Sequence, residues 1–212
     1  EVAFLSHGDT KHPMLFPATV GEIFAMAQDA FDLAERFQTP IFVMSDLDLG
    51  MNNWMSEPFK YPTEKFDRGK VLSAEDLKRL GSFQRYADID GDGIPYRTLP
   101  GTDHPAASYF TRGSGHNERA AYSERPDDYK HNMDRLNKKY ETARFYVPQP
   151  EIINANRANI GILAFGTTHW AIAETRDQLV REYNLRVSYY RLRALPFTED
   201  LIDFFRKHDR VY

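Results

Sequence analysis

The sequence predicts an α/β protein, and three observations carry that expectation. A strand–helix–strand unit occupies the first fifty or so residues, the same rhythm returns after residue 160, and the composition is that of an ordinary globular chain. Of its 212 residues, 42 % are apolar and 27 % charged, enough to bury a core.

The opening unit begins with an apolar run at 2–5, read as a strand, followed by a proline-punctuated loop with Pro13 and Pro17. Thr19 stands three residues before Glu22, the spacing of a capping box in which each side chain satisfies the other's backbone N–H. Val20, Ile23, Phe24, Ala27, Phe31, Ala34 and Phe37 then recur at three and four residues, one face of an amphipathic helix. Thr39 and Pro40 stop it, and the apolar run 41–44 is a buried strand. A βαβ crossover of this kind implies a parallel sheet.

Residues 46–127 are rich in Gly, Pro, Asp and aromatics, with one short helix at 73–80 capped by Ser73 and Asp76 and closed by Gly81. So long an irregular stretch is usually functional. A second long helix covers 128–143, with Tyr129, Met133, Leu136, Tyr140 and Ala143 inward and a charged face read as solvated. Residues 147–159 read as a linker. Beyond it come a strand at 160–165, a helix at 169–183 with Ile172, Leu179 and Tyr183 inward, a strand at 187–192, a helix capped by Thr198, and a strand opening at Arg210. The chain thus starts and stops within expected strands, which suggests a piece of a longer polypeptide, with a processed mature protein as the alternative.

Twenty-seven basic against thirty-one acidic residues give a net charge of −4, which argues against a nucleic-acid binder. The absence of cysteine excludes disulfides, thiolate metal sites and cysteine-ligated clusters on this chain. No apolar run is long enough to span a bilayer and no signal peptide is visible, so the expected protein is soluble and cytoplasmic.

The run Asp88-Ile89-Asp90-Gly91-Asp92-Gly93 invites a calcium reading, but Leu99 stands where the bidentate glutamate belongs and Pro95 interrupts the loop. An Asp/Gly turn is the alternative. His7 and Asp9 follow the first expected strand, where open α/β sheets bind ligands, and Asp46 and Asp48 lie at the same edge. The densest concentration of unusual residues is 94–118. There Arg97 and Arg112 sit among Pro, Gly and aromatics, Gly113 and Gly115 allow close backbone approach, and His104 and His116 add donors. A guanidinium fork suits a carboxylate, whereas the His and acid spacing suits no zinc pattern, so no metal site is expected. The arginines equally suit bracing of the loop through carbonyls.

Four stretches carry a resemblance. SHGDTKHPMLFP at 6–17, AFDLAERFQTPIFVMSDLDLGMNNWM at 30–55, DGIPYRTLPGTDHPAASYFTRGSGHNE at 92–118 and YRLRALPFTEDL at 190–201 resemble the alpha subunit of 2-oxoacid:ferredoxin oxidoreductases, closest to the 2-oxoglutarate branch. The resemblance implies the carboxyl part of a thiamine-enzyme pyrimidine-type domain at 1–146, a linker at 147–159 and the start of a transketolase-C-terminal-like α/β domain at 160–212. It implies thiamine diphosphate shared with a beta subunit, magnesium and an iron–sulfur cluster on that partner, and coenzyme A as co-substrate. Ferredoxin would receive the electrons through the complex. The catalytic glutamate is expected upstream of this chain, so no catalytic residue is assigned here. By position in the motif, Arg97, Thr111, Arg112 and His116 would bind the 2-oxoacid, and His7 and Asp9 would lie near the cofactor cleft. The stretch from Thr111 to Glu118 departs from the usual threonine-glycine and His-Asp-Glu pattern, which leaves individual roles open. A subunit-interaction module and a calcium-binding accessory domain are the alternatives.

Overall fold

The computed structural model describes residues 1–5, 10–111 and 115–212. It contains two compact units that interleave along the sequence. One gathers Glu1–His12, Ala34–Thr39 and Phe66–Thr142, the other Pro13–Leu33, Pro40–Lys65 and Ala143–Tyr212.

The second unit is α/β. Strand β1 (Met14–Leu15), helix α1 (Val20–Phe37) and strand β2 (Phe42–Val43) form the expected crossover, with Met14 paired in parallel to Phe42 and Leu15 to Val43. The strand of this unit is therefore 14–15 and not 2–5. Val2–Phe4 is a turn of 3₁₀-helix with Phe4 exposed, whereas Met14 and Leu15 are buried. Between Pro13 and Pro17 the chain is extended by sterics, which suits a short strand more than a loop. The capping box at α1 is split. Thr19 Oγ1 accepts the Glu22 N–H at 3.1 Å, but the Glu22 carboxylate reaches one residue further back, to the Ala18 N–H at 2.8 Å. The buried stripe of α1 is Met26, Leu33 and Phe37, while Phe31 lies in solvent.

After β2 comes a short helix missed in the sequence, α2 (Leu47–Met51), capped by the Asp46 carboxylate on the Leu49 N–H at 2.8 Å. The stretch expected to be a linker holds strand β3 (Glu151–Ile153), antiparallel to β5 (Ser188–Arg191). Strand β4 (Ile160–Ala164) pairs in parallel with β5 on one side and β7 (Arg210–Val211) on the other, giving the order β3-β5-β4-β7. Between β5 and β7, β6 (Ala194–Leu195) leaves this sheet and pairs antiparallel with β1. Helix α5 (Thr168–Tyr183) buries Ile172, but Tyr183 is exposed, contrary to its expected inward position. The last helix, here α6, is Glu199–Lys207, and its Leu201 and Phe204 pack with Tyr190 as a core cluster.

The first unit is held differently. Helix α3 (Ala74–Leu80) has both halves of its Ser73/Asp76 box and a left-handed Gly81, as expected. Helix α4 (Pro126–Ala143) corrects the sequence reading: on its polar side Asn132, Arg135 and Lys139 are buried, and Tyr129 is exposed. Residues spaced by three and four share one helix face, so this is a polar face turned inward.

Candidate functional site

The loop that carries the candidate residues hangs from α4 and from the last turn of α1. Gly93, at φ +79°, lies directly on the α4 backbone at Arg135 and Lys139. The Asp-rich turn before it holds a cation of the protein's own: Lys70 Nζ donates to Asp90 at 2.7 Å, to Asp92 at 2.8 Å and to the Ile94 carbonyl at 3.1 Å. Burial works against this ammonium, yet its carboxylate partners outweigh burial and hold its pKa above the usual lysine value. Among the described residues no group of three or more His, Asp or Glu gathers at metal-binding distance.

Arg97 is strapped to 68–72. Its N–H donates to the Lys70 carbonyl at 3.0 Å and its carbonyl accepts from Leu72 at 2.9 Å. Its guanidinium forms an ion pair with Glu35 and donates to the Arg68 carbonyl at 3.0 Å, while Nε is buried with no partner among the described residues. Thr111 and His116 are brought together elsewhere, around Tyr86. The Tyr86 hydroxyl donates to Thr111 Oγ1 at 3.5 Å, and its ring lies 4.1 Å from the His116 ring. Arg112, His7 and Asp9 lie outside the described residues. His104 turns back on its own loop, its Nδ1 accepting the Ala106 N–H at 3.1 Å. Asp46 accepts from the Thr167 hydroxyl at 2.6 Å, tying the start of α2 to the start of α5, and Asp48 accepts from Asn52 within its own turn. Burial raises the Asp46 carboxyl, but Thr167 and the backbone N–H groups of Leu49 and Thr167 outweigh it and hold the group below the ordinary aspartate range.

Sequence reasoning missed the centre of this constellation. Arg85 stacks on Tyr86 at 4.8 Å and on Tyr109 at 5.5 Å, and donates to Gln38 Oε1 at 2.6 Å. Arg135 faces the same Tyr86 ring at 5.7 Å. One turn on, Lys139 Nζ donates to the Phe37 carbonyl at 2.9 Å. Burial first, then Arg135 and Arg85, push the Lys139 ammonium down to about 8. Burial and then Lys139 also lower His12, whose Nδ1 lies 2.8 Å from Thr39 Oγ1. The aromatic neighbours that singled out Arg97 surround Arg85 as well, in the run Phe83-Gln84-Arg85-Tyr86. Nothing local marked Arg135 or Lys139. The result is a row of cations, Arg85 half-buried and Arg135 and Lys139 buried, whose hydrogen-bond acceptors are carbonyls, an amide and a phenol. Beside it lies a cleft of about 600 Å³, lined by Tyr86, His116, Asn132 and Arg135 with carbon-rich walls. Chemically, such a row receives an anion.

No family model matches the sequence. The relatives along nearly the whole chain are alpha subunits of 2-oxoacid:ferredoxin oxidoreductases. The subunit from enzyme 2 of Aeropyrum pernix is 27 % identical over 94 % of this chain, and that from enzyme 1 of Sulfurisphaera tokodaii is 27 % identical over 94 %. This chain spans 30 % and 31 % of their lengths. In fold it matches the 2-oxoglutarate:ferredoxin oxidoreductase of Magnetococcus marinus, solved with 2-oxoglutarate, coenzyme A and succinyl-CoA bound. The TM-score is 0.84 at 23 % identity, covering 99 % of this chain and 36 % of that one. The resemblance read from the four motifs is thereby borne out. No helix among the described residues is long and apolar enough to cross a membrane.

Proposed function

We propose that this chain is part of the alpha subunit of a thiamine-diphosphate-dependent 2-oxoacid:ferredoxin oxidoreductase that acts on 2-oxoglutarate. In that reaction the 2-oxoacid loses carbon dioxide, its acyl group passes to the thiol of coenzyme A, and the electron pair released goes to ferredoxin. The observation that supports this most is colinearity: sequence relatives and fold both match along nearly the full chain. A beta subunit holding magnesium and an iron–sulfur cluster is part of the proposal.

Thiamine diphosphate supplies the carbanion chemistry when bound. The residues proposed nearest to it, His7 and Asp9, lie outside the described residues, and the described ones form no donor set assigned to it. The proposed domain division stays 1–146, 147–159 and 160–212. What this chain contributes is orientation of the substrate. Arg97, Thr111, Arg112 and His116 remain the proposed receptors. The Arg97–Glu35 ion pair supports a carboxylate at Arg97. Glu35 then competes with substrate for the same guanidinium.

The test is anaerobic reduction of ferredoxin by the intact, cofactor-loaded complex. Turnover with 2-oxoglutarate and coenzyme A is expected, and no turnover with any 2-oxoacid overturns the proposal. Arg97→Ala is expected to raise KM by about tenfold or more, the worth of a charged hydrogen bond. Glu35→Gln is expected to lower it. A second reading, a subunit-docking module, is favoured by exposed Met55 and Tyr61 in the irregular stretch that follows α2. Unchanged kcat/KM in Arg97→Ala with loosened subunit association selects that reading.

A further inference from the structure

In the α/β unit, the amino ends of the parallel strands β4 and β5 border a cleft of about 510 Å³, within the usual range for small-molecule sites. Five polar side chains line it: Asn156, Arg157 and Asn159 ahead of β4, and Asn184 and Arg186 between α5 and β5. All five are exposed, so a solute reaches them directly. No acidic residue lines the cleft, and among the described residues neither arginine has a carboxylate partner. The charges around it are balanced among themselves. Arg181 pairs with Glu182 at 3.6 Å, and Asp209, whose N–H donates to the Asn159 carbonyl at 2.9 Å, is followed by Arg210. Two guanidinium groups thus border one concave surface that carries no acid of its own, and a cleft lined by one sign of charge concentrates their field.

Arg157 is held there against its backbone preference. Its φ is +57°, in the left-handed region. The Ala158 N–H donates to the Ala155 carbonyl at 3.4 Å and closes a turn with Asn156 second and Arg157 third. A turn with positive φ at its third position ordinarily takes glycine or asparagine there. The order Asn-Arg puts the less suited residue in the left-handed position, although an asparagine stands next to it. Asn184 is left-handed too, but it ends α5, its N–H donating to the Val180 carbonyl at 3.1 Å, a usual role for asparagine. No such role accounts for Arg157, and strained backbone of this kind clusters where ligands are held.

The lining side chains define the ligand. An arginine fork matches the oxygens of a phosphate, and asparagine amides, each both donor and acceptor, match hydroxyl groups. Only Ile160 and Leu185 add apolar surface, and no aromatic ring lines the cleft, so nothing there stacks on a nucleobase. We propose that this cleft binds the phosphate monoester of a small polyhydroxy compound. Its phosphate is taken by Arg157 and Arg186, and its hydroxyls by the asparagines. None of Arg97, Thr111 and His116 lines this cleft, so its ligand is not the 2-oxoacid of the proposed reaction.

Titration calorimetry of the intact, cofactor-loaded complex, with ribose 5-phosphate as probe, tests this without any activity readout. Saturable binding with a Kd below about 1 mM is expected. Ribose and inorganic phosphate, each offering one half of the ligand, are expected to bind about tenfold more weakly or worse. Arg157→Gly is expected to weaken binding about tenfold or more, through loss of a charge-assisted hydrogen bond. The same variant is expected to keep or raise the melting temperature, because glycine takes a φ of +57° without strain. Arg186→Gln is expected to weaken binding to a similar degree, and the exposed control Lys130→Ala to change nothing. Should Arg157→Gly fail to fold, Arg186→Gln decides. No saturation by about 10 mM, equal binding of ribose, binding that survives both arginine variants, or arginine-dependent binding of AMP tighter than that of ribose 5-phosphate overturns the proposal.

Discussion

The two units of this chain solve the same problem with different materials. The α/β unit is held by strand pairing and by an apolar cluster at Tyr190, Leu201 and Phe204. The unit built from 66–142 has little regular strand among its described residues and is tied by side chains that reach backbone carbonyls. Arg135 reaches Gly93, Lys139 reaches Phe37, Thr142 reaches Asp92 at 2.7 Å, and Gln38 reaches Pro95 at 2.6 Å. A loop has many carbonyls that no ladder satisfies, and buried donors satisfy them at the cost of desolvating charge. Irregular backbone can thus be fixed firmly, but its stability depends on single close approaches and on the protonation of buried groups.

Two glycines give the strongest way to break that comparison. At Gly93 the backbone is left-handed, and an added Cβ would clash with the α4 backbone, 2.6 Å from the Arg135 carbonyl and nearer still to Lys139. Neither partner is free to move, since both belong to a helix. Gly93→Ala is expected to cost about 4 kcal/mol or more. At Gly161 in β4 the obstacle is the Phe204 ring, 2.6 Å from the added carbon, on a side chain that can shift slightly. Gly161→Ala is expected to cost about 1–3 kcal/mol, the usual range for overpacking. Denaturant unfolding of both variants checks the order. An equal or larger loss at Gly161 would show that the loop is not anchored on α4 through this contact.

Those glycines also mark what was legible in the sequence. Period and capping signals located α1, α3, α4 and the βα rhythm after 160, because such signals are local. The strand at 14–15 was hidden by flanking prolines, and β3 by exposed residues in a polar stretch. At the candidate site, Thr111 and His116, named from the sequence, converge on Tyr86, while Arg97 is engaged by Glu35. Arg135 and Lys139 were not readable as buried. A charged helix face looks the same in sequence whether it meets water or a loop full of carbonyls, and only the loop's path distinguishes the two.

Lys139 sharpens the comparison through pH. Its folded pKa is about 8 against the ordinary 10.5. Below about pH 8 both states carry the proton, and the folded protein bears the full cost of burying the charge. From 8 to 10.5 the unfolded state binds more protons, so this group makes stability rise with pH until the penalty is gone. A gap of that width is on the order of 3 kcal/mol. Lys139→Met removes the penalty together with the bond to Phe37, so at pH 7 the variant is expected to be at least as stable as the parent. Its advantage is expected to shrink steadily toward the alkaline end. Parallel unfolding profiles for the two proteins between neutral and alkaline pH would show that Lys139 is not buried as a cation.

The smallest test compares two caps that the sequence could not tell apart. Ser73 and Thr198 each precede a helix and each face an acid within the first turn. In the loop-rich unit Ser73 Oγ accepts the Asp76 N–H at 3.1 Å, and the Asp76 carboxylate accepts the Ser73 N–H at 3.0 Å, so two orphan donors are satisfied. In the α/β unit the Thr198 hydroxyl donates to the Asp200 carboxylate at 3.0 Å and makes no bond to the α6 backbone. Ser73→Ala is expected to cost about 1 kcal/mol, the usual worth of a cap. Thr198→Ala is expected to cost about 0.5 kcal/mol or less, since no bond to the helix backbone is lost. Hydrogen exchange at the first-turn amides of α3 and α6 provides the site-specific check. Protection in α3 should fall in Ser73→Ala, whereas α6 in Thr198→Ala should keep its parent rates. The reverse pattern would mean that α6 relies on its cap after all and that the α/β unit, too, is held by single polar contacts.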